Sequence, residues 1–498
     1  MTNKAYKQLE DKFHRQAAID QASSILHWDA ATKMPTGSSA GRGEQLATLA
    51  VLAHETLTGS DVADLLDEAE ADSAQLNDWQ AANLREMRRQ WAHATAVPAD
   101  LVSRLVKASN ECEVQWRQAR ADNDFKSVVV ALQEVLTLTL ESGAAKSEAF
   151  NKPLYDALLD QYEPDGSSEL IQGLFGELQS WLPSMISQVI EKQKEEGAAE
   201  SLVGDFSVDN QKRLGQRMME QVGFDFERGR LDISAHPFCG GVPDDVRITT
   251  RYSEADFTTA LMGVLHETGH AMYEAGLPAD WRFQPVGSSR GMSIHESQSL
   301  LIEMQVCRGK DFLTYLAPIA QAEFKGEGTG WTGENFSKLY TKVERGFIRV
   351  DADEVTYPAH VILRFELEKA MIEGDLNLRD LPTAWNEKMK KLLNVVPPND
   401  RLGCLQDIHW YSGAWGYFPT YTLGAMTAAQ LYQAAISKNK EIPAAIARGD
   451  FSPLMKWLRS EVHTKASSLS SDEIVKRATG ESLSTTVFKK HLTDRYLA

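Results

Sequence analysis

The chain has 498 residues, 43% of them hydrophobic and 24% charged, which suits a globular protein with a large core and several structural subregions. A formal net charge of −18 argues against nucleic acid or an anionic membrane as main partner, since both demand clustered Lys and Arg. The scattered cysteines, Cys112, Cys239, Cys307 and Cys404, make no disulfide framework and point to a reducing, cytoplasmic setting. No apolar run approaching ~18 residues is evident, so no membrane-spanning helix is expected, and the N-terminal stretch lacks the apolar core of a signal peptide.

The whole chain, 1–498, reads as one domain in three parts. Residues 1–230 are almost entirely helical by periodicity, with clear apolar stripes over 78–94, 101–122 and 125–148. Turns at Met34-Pro35-Thr36-Gly37 and Glu163-Pro164-Asp165-Gly166 interrupt them. Trp28-Asp29 reads as a buried indole and a cap. Residues 231–430 carry the motifs, and 431–498 return to polar-faced helices.

From His236 the texture changes. His236-Pro237-Phe238-Cys239-Gly240-Gly241-Val242-Pro243 reads as a loop, and 244–252 as a strand. Asp245, Arg247 and Thr249 share one face of that strand. A local ion pair is their simplest reading, although such a strand can also pair with an extended substrate and bring Arg247 to it. Strand signals are scarce elsewhere, so the expected fold is mainly α with one small sheet beside the site.

A helix follows, with Ser253 as the expected N-cap, Glu254 and Asp256 in its first turn, and Gly276 and Pro278 at its end. It carries His266-Glu267-Thr268-Gly269-His270. Histidines four apart lie about 40° apart in azimuth and about 6 Å along the axis, so both rings can reach one cation. Glu267, about 100° round from His266, can approach a water held there without being a ligand. This is the H-E-x-x-H arrangement of zinc peptidases. A catalytic zinc needs a third protein ligand and an open position. Glu296, in Ser293-Ile294-His295-Glu296-Ser297-Gln298, is the candidate. Its competing reading is a capping box with Ser293, and His295 is a rival ligand.

Two later segments complete the candidates. Arg349, in Ile348-Arg349-Val350-Asp351-Ala352-Asp353, can bind a carboxylate through two hydrogen bonds, or pair with Asp353 along a helix. Gly403-Cys404-Leu405-Gln406-Asp407-Ile408-His409-Trp410 leads into an aromatic run with Tyr411, Trp415, Tyr417, Phe418 and Tyr421. Such a run can shape a pocket wall or an aromatic core turn. His409 and Tyr421, with Tyr417 as alternate, can donate hydrogen bonds to a developing oxyanion.

Taken together, His236-Pro237-Phe238, Asp245-x-Arg247-x-Thr249, His266-Glu267-x-x-His270, His295-Glu296-Ser297-Gln298, Ile348-Arg349-x-x-Ala352-Asp353 and Gly403-x-x-Gln406-Asp407-x-His409-Trp410 resemble the signatures of the thermostable, Taq-type metallocarboxypeptidases. The likeness spans essentially the full chain, with departures at Trp28-Asp29 and Cys239. It implies a helical two-lobed molecule with a deep groove, a catalytic zinc (cobalt in some relatives) and a homodimer. It also implies release of single residues from peptide C-termini with broad tolerance, Glu296 as third ligand, Glu267 as general base and Arg349 as reader of the substrate carboxylate. The alternative is a metallo-oligopeptidase cutting internal bonds.

Overall fold

The computed structural model describes residues 3–498, and among them twenty α-helices surround one three-stranded sheet. The helices that matter for the site are α1 (Lys4–Thr32), α2 (Phe125–Phe150), α3 (Thr258–Gly276), α4 (Met292–Leu300), α5 (Tyr357–Glu373), α6 (Pro419–Lys438) and α7 (Thr485–Tyr496). A π-helical segment, Leu301–Cys307, continues α4. By length and composition α2 could cross a bilayer, contrary to the expectation of no such run. Its Val128, Leu132, Val135 and Leu136 are instead packed into the core.

The sheet consists of β1 (Gly229–Ile233), β2 (Cys239–Val242) and β3 (Asp245–Thr250), with β3 in the centre, parallel to β1 and antiparallel to β2. Half of the expected 236–243 loop is therefore strand. Its Gly-Gly pair hides the signal, and Gly241 turns the chain at φ +83°. The pairing sets Arg230 opposite Arg247. Their guanidinium carbons lie 5.0 and 4.5 Å from the Trp28 ring centroid, so the buried indole pins α1 to the sheet by cation–π contact.

The helix after β3 begins at Thr258, later than expected. Ser253 does not cap it; Asp256 accepts from the amides of Thr258 (2.9 Å) and Thr259 (3.3 Å) and does that work from two residues before the first turn.

Two large cores interleave along the chain. One gathers α2, α5 and α7 through Leu132, Phe365 and Leu492; the other gathers the sheet, α3 and α4 through Ile248, Leu265 and Ile294. Helix α6 belongs to both, with Leu423 and Met426 in the first and Ala428 and Leu431 in the second. A smaller third core joins Tyr6, Leu9 and Phe13 of α1 to Leu66 and Met87.

The metal-motif helix α3 crosses α4 at Gly269. A Cβ there would collide with the Gln298 carbonyl and lie 2.6 Å from Ser299 Cα, so only glycine permits this crossing. Gly269→Ala should therefore destabilise the fold by roughly 1–3 kcal/mol or more through overpacking. A denaturant melt with an unchanged midpoint would show that the two helices part without cost.

Candidate metal centre

His266 and His270 project from one face of α3 towards Glu296 of α4. Helix α4 starts after Gly291, and the Ser293 amide donates to Glu163 Oε2 at 3.0 Å, so the capping-box alternative does not form. Glu296 instead turns to the imidazoles: Oε2 lies 3.3 Å from His270 Nε2 and 3.8 Å from His266 Nε2. Close packing of α6 fixes its stem, since a Cβ on Gly424 would come within 2.8 Å of both Glu296 Cβ and Cγ. His295 points elsewhere, with Nε2 2.9 Å from Glu274 Oε1.

The hydrogen-bond network settles which ring nitrogens are free. A backbone carbonyl only accepts, so His270 Nδ1, 3.1 Å from the His295 carbonyl, carries the proton. His295 Nδ1, 2.7 Å from that same nitrogen, then accepts, and its Nε2–H donates to Glu274. His266 Nδ1 donates to Glu303 Oε2 at 2.9 Å, and Arg308 Nη2 donates to the other Glu303 oxygen at 2.6 Å. Both Nε2 atoms thus face Glu296.

This arrangement fits a divalent cation. One donor atom from each of His266, His270 and Glu296 lies within 4.8 Å of the others. A tetrahedral ion ~2.0–2.1 Å from each ligand separates them by ~3.3 Å, near the 3.3 and 3.8 Å between Glu296 and the two imidazole nitrogens. The electrostatics agree. Burial disfavours a charge on His266, yet Glu296, Glu303 and Glu267 outweigh it and raise the imidazole to about 10. Burial, with His295 and His266, lowers His270 to about 4. Burial also pushes Glu267 up to about 7, against His266 and with Glu296 and Glu303. A buried site where carboxylates crowd one imidazole attracts positive charge.

The facing wall carries the other candidates. Arg349 is buried, with Nε and Nη2 donating to Asp407 Oδ1 at 3.0 and 2.9 Å. Nη1 donates to the Tyr357 hydroxyl at 3.2 Å, and the guanidinium lies 4.7 Å from the Tyr421 ring centroid. Asp353 does not pair with Arg349; it holds the turn before α5 by accepting from the Val355 and Thr356 amides. Arg364 Nε donates to the second Asp407 oxygen at 2.6 Å. Two guanidiniums therefore share one carboxylate, which they hold well below its usual range despite burial.

His409 Nε2 lies 3.1 Å from the Tyr421 hydroxyl, and Tyr417 packs 5.2 Å from the Tyr421 ring. Burial, aided by Arg349 and Arg364, lowers His409 to about 4, so it is neutral near pH 7. Arg247 stands apart from this wall, paired with Asp245 at 2.9 Å as the local reading expects. Thr249 accepts from the Phe238 amide at 3.0 Å. A cavity of ≈ 390 Å³ bounded by Trp28, Cys239, Glu274 and His295 opens between α1 and β2.

Across residues 8–496 the sequence matches the family model described as carboxypeptidase Taq (M32) metallopeptidase. The chain belongs to this M32 family. Thermostable carboxypeptidase 1 of Thermus thermophilus is 37% identical over 99% of this chain and 98% of its own. The structure of Trypanosoma cruzi metallocarboxypeptidase 1 is 39% identical, covers 100% of both chains and superposes with a TM-score of 0.98. Pyrococcus furiosus carboxypeptidase is 31% identical, covers 100% of both chains and has a TM-score of 0.95. The protein is a metal-dependent carboxypeptidase, a peptide hydrolase of the M32 family.

Sequence reasoning missed several residues of this M32 site. Tyr357 and Asp407 meet Arg349 only through tertiary packing. Glu274, the carboxylate on His295, lies four residues after His270 on the same face of α3. Glu303 lies beyond the switch from α- to π-helix at Leu301, so a regular α-helical count from Glu296 does not place it. Replacing Glu303 with Ala removes the acceptor that orients His266. Metal affinity should then fall ~10–100-fold in competition with a chelator. An affinity within twofold of the native protein would mean that His266 holds its orientation unaided.

Proposed function

We propose that the enzyme releases single amino acids from the C-termini of peptides with broad side-chain tolerance. In this reading zinc is held by His266, His270 and Glu296, with cobalt able to replace it, and Glu267 is the general base. The buried charge around Arg349 carries the exopeptidase reading. Arg349 and Arg364 share Asp407, which leaves a surplus positive charge behind the cleft wall. A free peptide C-terminus supplies the matching negative charge. An internal peptide bond does not, which weighs against the metallo-oligopeptidase alternative.

A bound zinc ion supplies Lewis acidity, lowering the pKa of a water from ~15.7 towards ~7 and polarising the scissile carbonyl. Glu267 takes the proton of the attacking water on a carboxylate oxygen and returns it to the leaving amine. The terminal carboxylate of the peptide takes Arg349 Nη1, the nitrogen that Asp407 leaves free, beside the Tyr357 hydroxyl. His409 Nδ1 is buried without an acceptor, so the ring proton belongs on Nε2 and points to the Tyr421 oxygen. The Tyr421 O–H is then free to donate to the developing oxyanion. Tyr417 packs on Tyr421 and lines the substrate's path, and Arg247 meets the peptide farther from its C-terminus. A homodimer working in a reducing cytoplasm completes the reading, which the free cysteines support.

An N-terminally blocked pentapeptide tests this directly. Mass analysis should show single C-terminal residues leaving in turn, abolished by chelator and restored by zinc. Internal fragments as first products would favour the oligopeptidase. Glu267→Gln should keep its metal and lose ~10²–10⁴-fold in kcat; retained turnover would remove Glu267 from the base role.

Arg349→Ala should raise KM for free-acid peptides far more than for their C-terminal amides. Equal losses on both would make Arg349 a structural residue only.

A further inference from the structure

We propose that Arg495, on the C-terminal helix α7, is a positioning residue for the metal centre, acting through the π-helical turn that presents Glu303 to His266. This inference rests on the proposed metal site and adds to it a support from the far end of the chain.

The chain of contacts is continuous. The Arg308 amide donates to the Glu303 carbonyl, five residues back, at 3.0 Å, which marks the π turn. Such a turn inserts one extra residue into a helix, and so resets which side chains face which neighbour. Here it brings Glu303 onto His266 Nδ1 and within reach of Arg308. The last carbonyls of any helix lack partners within it. In this segment they are answered from α7: Arg495 Nη1 donates to the Met304 carbonyl and Nη2 to the Gln305 carbonyl, the latter at 2.9 Å. The residues flanking Glu303 on its C-terminal side are thus held by one guanidinium from nearly two hundred positions away.

That guanidinium is itself held. Arg495 Nη1 also donates to Glu354 Oε2 at 3.1 Å. The same buried carboxylate accepts from the Tyr496 hydroxyl at 2.9 Å, from His491 Nε2 at 2.8 Å and from Gln305 Nε2 at 3.0 Å. Glu354 directly follows the Arg349 segment, so one carboxylate ties the π turn, α7 and the start of the carboxylate-reading wall together. These contacts converge on the backbone beside Glu303. Loss of Arg495 leaves two carbonyls without partners and frees the turn to relax towards α-helical phase. Glu303 then swings off His266, whose ring loses the acceptor that keeps Nε2 directed at the cation.

The test is zinc affinity of the full-length protein, measured by chelator competition, together with the zinc dissociation rate and the melting of the metal-free form. Arg495→Met should lower zinc affinity ~10–100-fold, as loss of an outer partner of a ligand does, with faster dissociation. Arg495→Lys should recover part of the loss, since an ammonium can reach one carbonyl. Lys490→Ala, which breaks only an exposed pair with Asp494 on the same helix, should stay within twofold of native. A folded Arg495→Met protein with native zinc affinity overturns the proposal, even if its metal-free form melts lower. Should that variant fail to fold, Glu354→Gln, which keeps the shape of the anchor, carries the same expectation and the same refutation. His266→Ala separates the two readings: if it binds zinc as tightly as native, the metal site itself is misassigned.

Discussion

The cleft depends on how closely three helices approach one another. Gly269 lets α3 meet the backbone of α4, and Gly424 lets α6 press against the stem of Glu296. Those two contacts bring a carboxylate from one helix between two imidazoles of another. A methyl group at either place would clash and displace the partner that carries or holds Glu296. The cation-binding geometry is therefore set mainly by backbone packing, and the polar side chains refine it. His266 and His270 each give their Nδ1 proton to a fixed acceptor, which aims the opposite nitrogen at Glu296.

The site is divided electrostatically. On the α3–α4 side, Glu267, Glu296 and Glu303 surround His266 and raise its proton affinity far above that of a free imidazole. On the opposing wall, Arg349 and Arg364 outnumber Asp407 and help burial keep His409 neutral. Each half, buried alone, would be costly. The negative half suits a divalent cation, and in the proposed reading the positive half is relieved by the terminal carboxylate of a peptide. The fold tolerates both because the two large cores meet at α6, which contributes to each and carries Tyr421 and Gly424 between them.

Legibility in the sequence followed the range of the interaction. The H-E-x-x-H pair needs one helix and its 3.6-residue period, so its spacing was enough. Glu296 was recognisable as a ligand candidate, but only tertiary packing separated that role from a capping box. The helical character of the chain and the small sheet were readable, whereas β2 was not, because Gly240-Gly241 carries no side-chain alternation. Ser253 looked like a cap, and Asp256 took the place because the chain between them bends before the helix begins. The partners of Arg349 lay out of reach: Asp407 follows it by dozens of residues, and Tyr357 belongs to the next helix. Trp28 has the local pattern of a buried indole, but its two arginine partners come from strands whose pairing no local pattern reveals.

The polarity of the cleft also gives a substrate its direction. A peptide whose terminal carboxylate sits against Arg349 must run towards the α3–α4 side, because the carboxylates there repel that end and attract a cation. In the proposed reading the scissile carbonyl then meets the imidazole pair and Glu267, with the cavity between α1 and β2 open to the remaining chain. A peptide in the reverse orientation would place its carboxylate beside Glu267 and Glu296 and leave the arginine pair without a counter-charge. In the proposed reading, the opposite charges of the two walls specify which end of the chain is cut, with Arg349 holding the terminal carboxylate.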